Sequence, residues 1–251
     1  MNSQQGSSSG SAVPASSGES YGQEYFDARF GRRFSQYWWA RRFYAGLIRR
    51  YRGSGKLLEI GCGLGHVLQR LDDRFETHGI DLSEYAIERA RANTPSSVLN
   101  VGPAEDVAAL PGPFDVIVAF HVVEHLVDPA AVLNDCARAT RPGGLLIFAT
   151  PNPEAPFAKR KGDQWYAAKD PTHISMKPPR EWITLTQQAG YRVRRAFGDG
   201  LWDVPYLPLI PAKLQLLLFA LPAALQTVTT VPFIPVRFGE ALIVVAERER
   251  A

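Results

Sequence analysis

The run KLLEIGCGLGHVLQR, residues 56–70, constrains the fold more than any other part of the chain. Leu57, Leu58 and Ile60 make a short apolar strand pattern around one acid, Glu59, and Gly61, Gly63 and Gly65 follow at alternate positions. Leu64, Val67, Leu68 and Leu71 then recur at three- and four-residue spacing. The pattern predicts a strand, a tight glycine turn and a helix over 64–73. Glycines reach positive φ and remove the Cβ atoms that would hold a ligand off the main chain. A helix starting here would aim its first N–H groups at that ligand.

Two better-known glycine loops do not fit. A phosphate-binding loop ends in Gly-Lys-Ser/Thr, and no such triplet follows Gly65. The dinucleotide fingerprint G-x-G-x-x-G needs glycine where His66 stands. What remains is G-x-G-x-G with an acid two positions ahead of its first glycine.

Downstream the pattern alternates. Strands are predicted at 75–81, 97–101, 114–120 and 144–150, and helices at 83–92, 104–110 and 128–140. A helix at 179–189 closed by Gly190, a strand at 191–197 and a last strand at 241–247 complete the set. Such alternation makes a parallel sheet with helices on both faces, and ligands bind beyond the strand carboxyl ends where strand order reverses. Asp81 ends the second strand twenty residues after Gly61, where a carboxylate can accept both hydroxyls of a ribose. Ser83 is better placed than Asp81 to cap the next helix. Residues 151–180, with six prolines, form a long irregular crossing, and loops of that length are usually functional or disordered.

With 251 residues, 45% hydrophobic and 21% charged, the chain can build one α/β domain with additions. A net charge of +3 on scattered arginines does not demand nucleic acid. The two cysteines, Cys62 and Cys136, lack metal-ligand spacing and suit a reducing compartment, and no metal is expected. No basic-then-apolar leader pattern opens the chain, so cytoplasm is the expected compartment, with a peripheral place at the inner membrane face left open. Residues 1–20, rich in Ser, Gly and Gln, are expected to be a disordered tail. Residues 21–53 interleave aromatic residues with arginines and read as cap helices that either pack over the sheet edge or cover the ligand.

The glycine loop with Glu59, Asp81 on strand two, Ala104-Glu105, Phe114-Asp115 opening strand four and the EHL segment after it resemble the ordered motifs of class I S-adenosylmethionine (SAM)-dependent methyltransferases. The likeness covers roughly residues 50–198 and is greatest to the small-molecule branch of quinone-pathway, natural-product and sugar O-methyltransferases. It implies an α/β fold: a Rossmann-like, mostly parallel seven-stranded sheet with an antiparallel last strand and helices on both faces. The chain then divides into a SAM-binding core at 54–198, an apolar helical insertion at 199–238 read from its own composition, and a last strand and C-terminus at 239–251. The resemblance implies SAM as cofactor, with Glu59, Gly61, Cys62, Gly63 and Gly65 around the methionine part. Asp81 and Leu82 then meet the ribose, Ala104 and Glu105 the adenine, Phe120 also touches the cofactor, and His121 lies near the sulfonium. Glu59 acts either through the cofactor's ammonium or through the loop's backbone N–H groups.

Methyl transfer from a sulfonium asks a protein chiefly to align the nucleophile and exclude water. A hydroxyl acceptor gains from a base titrating near neutrality, for which histidine is the usual choice. Of the five histidines, His66 and His78 read as structural and His125 as a packing and hydrogen-bonding residue. His173, in KDPTHIS on the crossing loop, is either the base or a tie for that loop, and His121 is the second catalytic candidate. The expected activity is methylation of an oxygen on a hydrophobic or lipid-linked small molecule. A soluble natural-product or sugar methyltransferase, and a SAM-binding protein without turnover, are the other readings. Strand four is followed by AFHVVEH, with no Asn/Asp-Pro-Pro-Tyr base pocket, which argues against nucleic-acid modification.

Between Lys213 and Arg237 no residue is charged. A simple membrane span is excluded, because strands of one sheet precede and follow this segment. It reads as a lid over a hydrophobic substrate, a hairpin dipping into one leaflet, or a homodimer contact. Peripheral membrane contact through 201–236 is the favoured expectation.

Overall fold

Seven runs pair into one sheet, and the central strands, buried on both faces and rich in Val, Ile, Leu and Phe, are too apolar to meet water. The computed structural model describes residue 22 and residues 36–250. The expected tail at 1–20, and the cap residues 21–35 apart from Gly22, lie outside the described residues. The strands are β1 (Gly55–Ile60), β2 (Phe75–Asp81), β3 (Val98–Val101), β4 (Phe114–Phe120), β5 (Thr140–Pro151), β6 (Tyr191–Gly198) and β7 (Ala241–Arg248). Their order is β3-β2-β1-β4-β5-β7-β6, with β1 to β5 parallel and β7 antiparallel to both its neighbours. This is the expected architecture, strand for strand. Strand order reverses between β1 and β4, so the glycine loop after β1 opens at the crevice.

Helices cover both faces. Helix α1 (Gln36–Tyr51) buries Phe43, Tyr44, Leu47 and Ile48 against Leu57, Val116 and Ile147 on one face. Burial of each large side chain is worth about 1.5–3 kcal/mol, which holds α1 down although its first turn carries no acid to favour the helix dipole. The second and third helices are α2 (Glu84–Asn93), capped by Ser83 accepting from Ala86 N–H at 3.1 Å, and α3 (Pro129–Ala139). On the other face α3 and α5 (Pro179–Gln188) pack round Phe114, Phe148, Trp182 and Tyr191. The crossing loop is less irregular than its prolines suggest. It contains α4 (Ala158–Lys161), a 3-10 turn at Gly162–Gln164 and a small core of Ala155, Ala158, Trp165 and Ala167. The insertion before β7 is indeed helical: α6 (Ala212–Phe219) and α7 (Leu221–Thr229).

The helix expected over 64–73 does not form. Gly65 stands at φ +74°, which breaks a right-handed helix at its first turn. The few residues left before β2 fold into mixed three- and four-residue turns, for example Gln69 N–H to Gly65 O and Arg70 N–H to Val67 O, around one 3-10 turn at Leu68–Arg70. Val67, Leu68 and Leu71 are buried all the same. Their spacing reported one buried face, which a string of turns supplies as well as a helix does. No helix N-terminus therefore faces the crevice at this loop.

Candidate active site

The carboxyl ends of β1, β2 and β4 open into one cavity of about 860 Å³, within the size range of small-molecule sites. Gly61, Cys62 and Gly63 form its floor, and Gly61 (φ +66°) could not carry a Cβ, which would sit 2.4 Å from Val122 Cγ2. Gly65 is not part of the lining. A Cβ on it would meet Thr94 and Ala90, so its role is close packing against α2 rather than contact with a cofactor.

Asp81 holds this floor in shape. One carboxylate oxygen accepts from Gly63 N–H at 2.8 Å and the other from Ser83 N–H at 2.9 Å. Burial raises its pKa, and those two bonds oppose the rise. A carboxylate has about four acceptor positions, so these bonds leave capacity for ribose hydroxyls. Glu59 is buried; burial and the nearby Asp81 push its pKa well up, against a hydrogen bond from Leu68 N–H and the charge of Arg41. Its bond is thus to the turn segment and not to the glycine loop, and its Oε2 has no hydrogen-bond partner at the cavity wall. Leu82, Ala104, Glu105 and Phe120 line the same cavity.

His121 occupies the left-handed region at φ 58°, rare for a residue with a side chain and frequent at functional sites. Its Nδ1 lies 3.4 Å from Glu124 Oε1 and its Nε2 3.1 Å from Tyr44 Oη. An Nδ1–H turned toward the carboxylate leaves Nε2 to accept from the tyrosine hydroxyl. Tyr44 in turn stacks on Phe120 with ring centres 3.9 Å apart, so α1 closes the cavity from above. Glu124 is fully buried with no well-formed hydrogen bond to either oxygen. Burial works against its charge, yet the neighbouring His121 and His125 carry its pKa below the ordinary value.

His125 donates Nδ1–H to Thr172 O at 3.1 Å, and burial lowers its pKa. His173 donates Nδ1–H to Ala167 O at 2.6 Å and leaves Nε2 3.8 Å from Asp170. The two rings lie 4.8 Å apart. His173 therefore does tie down its loop, and the same bond turns Nε2 outward as an acceptor. No metal was expected, yet Glu124, His125 and His173 bring three ligand atoms within 4.8 Å of one another. An imidazole–carboxylate set of this kind suits a borderline divalent cation.

Sequence reasoning missed several lining residues. His66, read as structural, lines the cavity, with its pKa lowered to about 4 by burial and by Arg41 and Arg70. Asp199 directly follows β6 and Glu240 directly precedes β7. Because β7 runs antiparallel, its start lies at the same edge as the other strands' ends, and both acids reach the cavity. Burial raises Asp199 to about 6 and Glu240 to about 8. An acid at a strand end was the available signal.

A family model described as a methyltransferase domain matches residues 33–196. The chain belongs to the class I SAM-dependent methyltransferase family. This methyltransferase is 42% identical over 106 residues to the ubiquinone biosynthesis O-methyltransferase of Thiobacillus denitrificans, covering 40% of this chain and 46% of that one. Against the enzyme of the same name from Bordetella pertussis it is 34% identical over 150 residues, 55% of this chain and 62% of that one. The match thus spans less than two thirds of these curated relatives. Among solved structures, a SAM-dependent methyltransferase from Archaeoglobus fulgidus shares the fold with TM-score 0.59 at 19% identity, over 90% of this chain and 98% of that one. The plantazolicin methyltransferase, in complex with a triazolic desmethylPZN analog and SAH, gives TM-score 0.60 at 16% identity over 90% and 89%.

SAM is the cofactor of this family, and the residues present fit it. The buried, unmatched Oε2 of Glu59 suits an ammonium, the Asp81 carboxylate suits a ribose, and the Cβ-free floor at Gly61 admits close approach of a ligand.

Proposed function

We propose that this protein methylates an oxygen of a hydrophobic or lipid-linked small molecule, using SAM, with His173 as general base. Bound SAM supplies a methyl group already activated on a sulfonium. The chain's own task is then alignment, water exclusion and removal of one proton. The observation that carries the reading is the continuity of the cavity. Its cofactor half, at Gly61, Asp81 and Ala104, joins without a wall to a half lined by Tyr44, His121, His173 and Trp202. The names of the quinone-pathway relatives support an oxygen acceptor.

In this reading His173 accepts the hydroxyl proton at Nε2, its tautomer set by the bond from Nδ1 to Ala167 O. Asp170, 3.8 Å away, stabilises the imidazolium that results. His121 and Tyr44 hold the acceptor's approach to the sulfonium side. His173→Ala is expected to cut turnover about 10²-fold or more with SAM affinity unchanged. Near-normal kcat in that variant rejects the base, and a folded protein without SAM affinity in calorimetry rejects the enzymatic reading altogether.

A further inference from the structure

Residues 204–239 contain no acid, and Lys213 and Arg237 are their only charges. A soluble helical insertion of this composition would turn its leucines inward. This one does the reverse. Gln215 is fully buried, accepting at Oε1 from Tyr206 N–H (2.6 Å) and Leu207 N–H (3.0 Å) and donating to Leu207 O (2.7 Å) and Ile210 O (2.6 Å). Gln226, also buried, donates to Gly198 O (2.9 Å) and accepts from Phe233 N–H (2.9 Å) and Ile234 N–H (3.0 Å). The two amides spend their hydrogen bonds on the backbone of the insertion's own loops and on the end of β6. Outside stand Leu209 (95% exposed), Leu217 (69%), Leu218, Leu221, Leu225 and Val228 (68%). An apolar patch propped open by buried polar side chains is a built surface.

The hairpin's own charges are all basic. Lys213 and Arg237 are exposed, and so are Lys159 and Arg160 on α4. That helix is held beside the hairpin by Phe157, which stacks on Tyr206 at 4.2 Å and meets Phe219 edge-on at 6.2 Å. The inner face has another use: Gln226 and Thr227, with Trp202 and Val204 ahead of them, line the active-site cavity. One wall of that cavity is thus the back of the leucine surface.

We infer that the α6–α7 hairpin docks on an anionic lipid bilayer, its leucine face entering the interface and its basic rim meeting the headgroups. It lies in one leaflet rather than crossing. No single described helix is long and apolar enough to span, and the two helices are bent by 45° at the break between them. Helices of 8 and 9 residues are about 12 and 14 Å long against a hydrocarbon core of about 30 Å. Both ends of the hairpin also return to strands of the same sheet. Docking stands apart from the methyl-transfer reading; only the delivery of an acceptor from the bilayer into the cavity rests on it.

The test is co-sedimentation of the full chain with vesicles of phosphatidylcholine containing phosphatidylglycerol, and with phosphatidylcholine alone. Binding is expected to the anionic vesicles and to weaken with salt. Leu217→Asp with Leu221→Asp, both exposed and away from the cavity, should reduce it at least tenfold, with melting temperature and SAM affinity unchanged. Lys213→Gln with Arg237→Gln should reduce it about 30-fold. No binding to anionic vesicles, or binding untouched by the aspartate pair, overturns the inference. So does a dimer that the aspartate pair converts to monomer while vesicle binding stays intact, which would make the surface a contact between copies. SAM affinity measured on the same samples keeps this outcome distinct from failure of the enzymatic reading.

Discussion

Replacing Gln226 with methionine keeps the length and unbranched shape of the side chain and makes an already apolar helix more apolar. Hydropathy alone expects a neutral or stabilising change. The structure expects the opposite, because the Gln226 amide satisfies Gly198 O, Phe233 N–H and Ile234 N–H, and the first and last of these bonds are buried. A buried donor or acceptor left unmet costs about 1–3 kcal/mol. Two such groups set a loss of about 2–6 kcal/mol, and the gain from burying thioether in place of amide offsets about 1 kcal/mol. The expected destabilisation is about 3 kcal/mol, read as a lower urea midpoint with unchanged slope. Leu225→Gln, one position away on the exposed side, should stay within about 0.5 kcal/mol of the parent. A neutral Gln226→Met, or a Leu225→Gln as costly as it, refutes the argument that polar groups build this hairpin from inside.

Other perturbations follow from the site. Gly61→Ala forces alanine into the left-handed region at about 1–2 kcal/mol and drives its Cβ into Val122. SAM affinity in calorimetry should fall with it, and Val122→Ala in the same chain should restore part of the stability; no restoration would mean that the overlap is not the cause. Glu240 holds its proton more tightly when folded, about 8 against an ordinary 4.5. Its contribution to stability is therefore fully present below about pH 4.5 and lost as pH rises through about 8, a change on the order of 2–4 kcal/mol. Glu240→Gln should flatten the pH profile of the melting temperature across that window, and an unchanged slope would refute the assignment.

Much of the core was legible because its signals are local. The apolar runs at 57–60 in β1 and 116–120 in β4 announce buried parallel strands, and Gly61 with Asp81 mark the open ends of β1 and β2. Local pattern reports burial but not the shape of what is buried. Val67, Leu68 and Leu71 looked helical and lie instead on a chain of turns, because Gly65 gives up its right-handed φ to pack against α2. The assembly of the second half of the site was only partly legible: His121 and His173 were candidates, but what surrounds them was not in view. Tyr44, His121 and Asp199 are separated by scores of residues, and only closure of the sheet brings them to one cavity.

Residue types and their spacing determined the layered α/β class, the strand set and the acidic and glycine positions that suit an adenosyl ligand. Those properties depend on backbone freedom and burial within a few residues. Tertiary structure decided that Gly65 serves packing, that His173 is fixed through Ala167, and that the insertion faces outward with its leucines and inward with its glutamines. Orientation of that kind belongs to hydrogen bonds between distant segments, here Gln226 to Gly198, and no short window of sequence contains both partners.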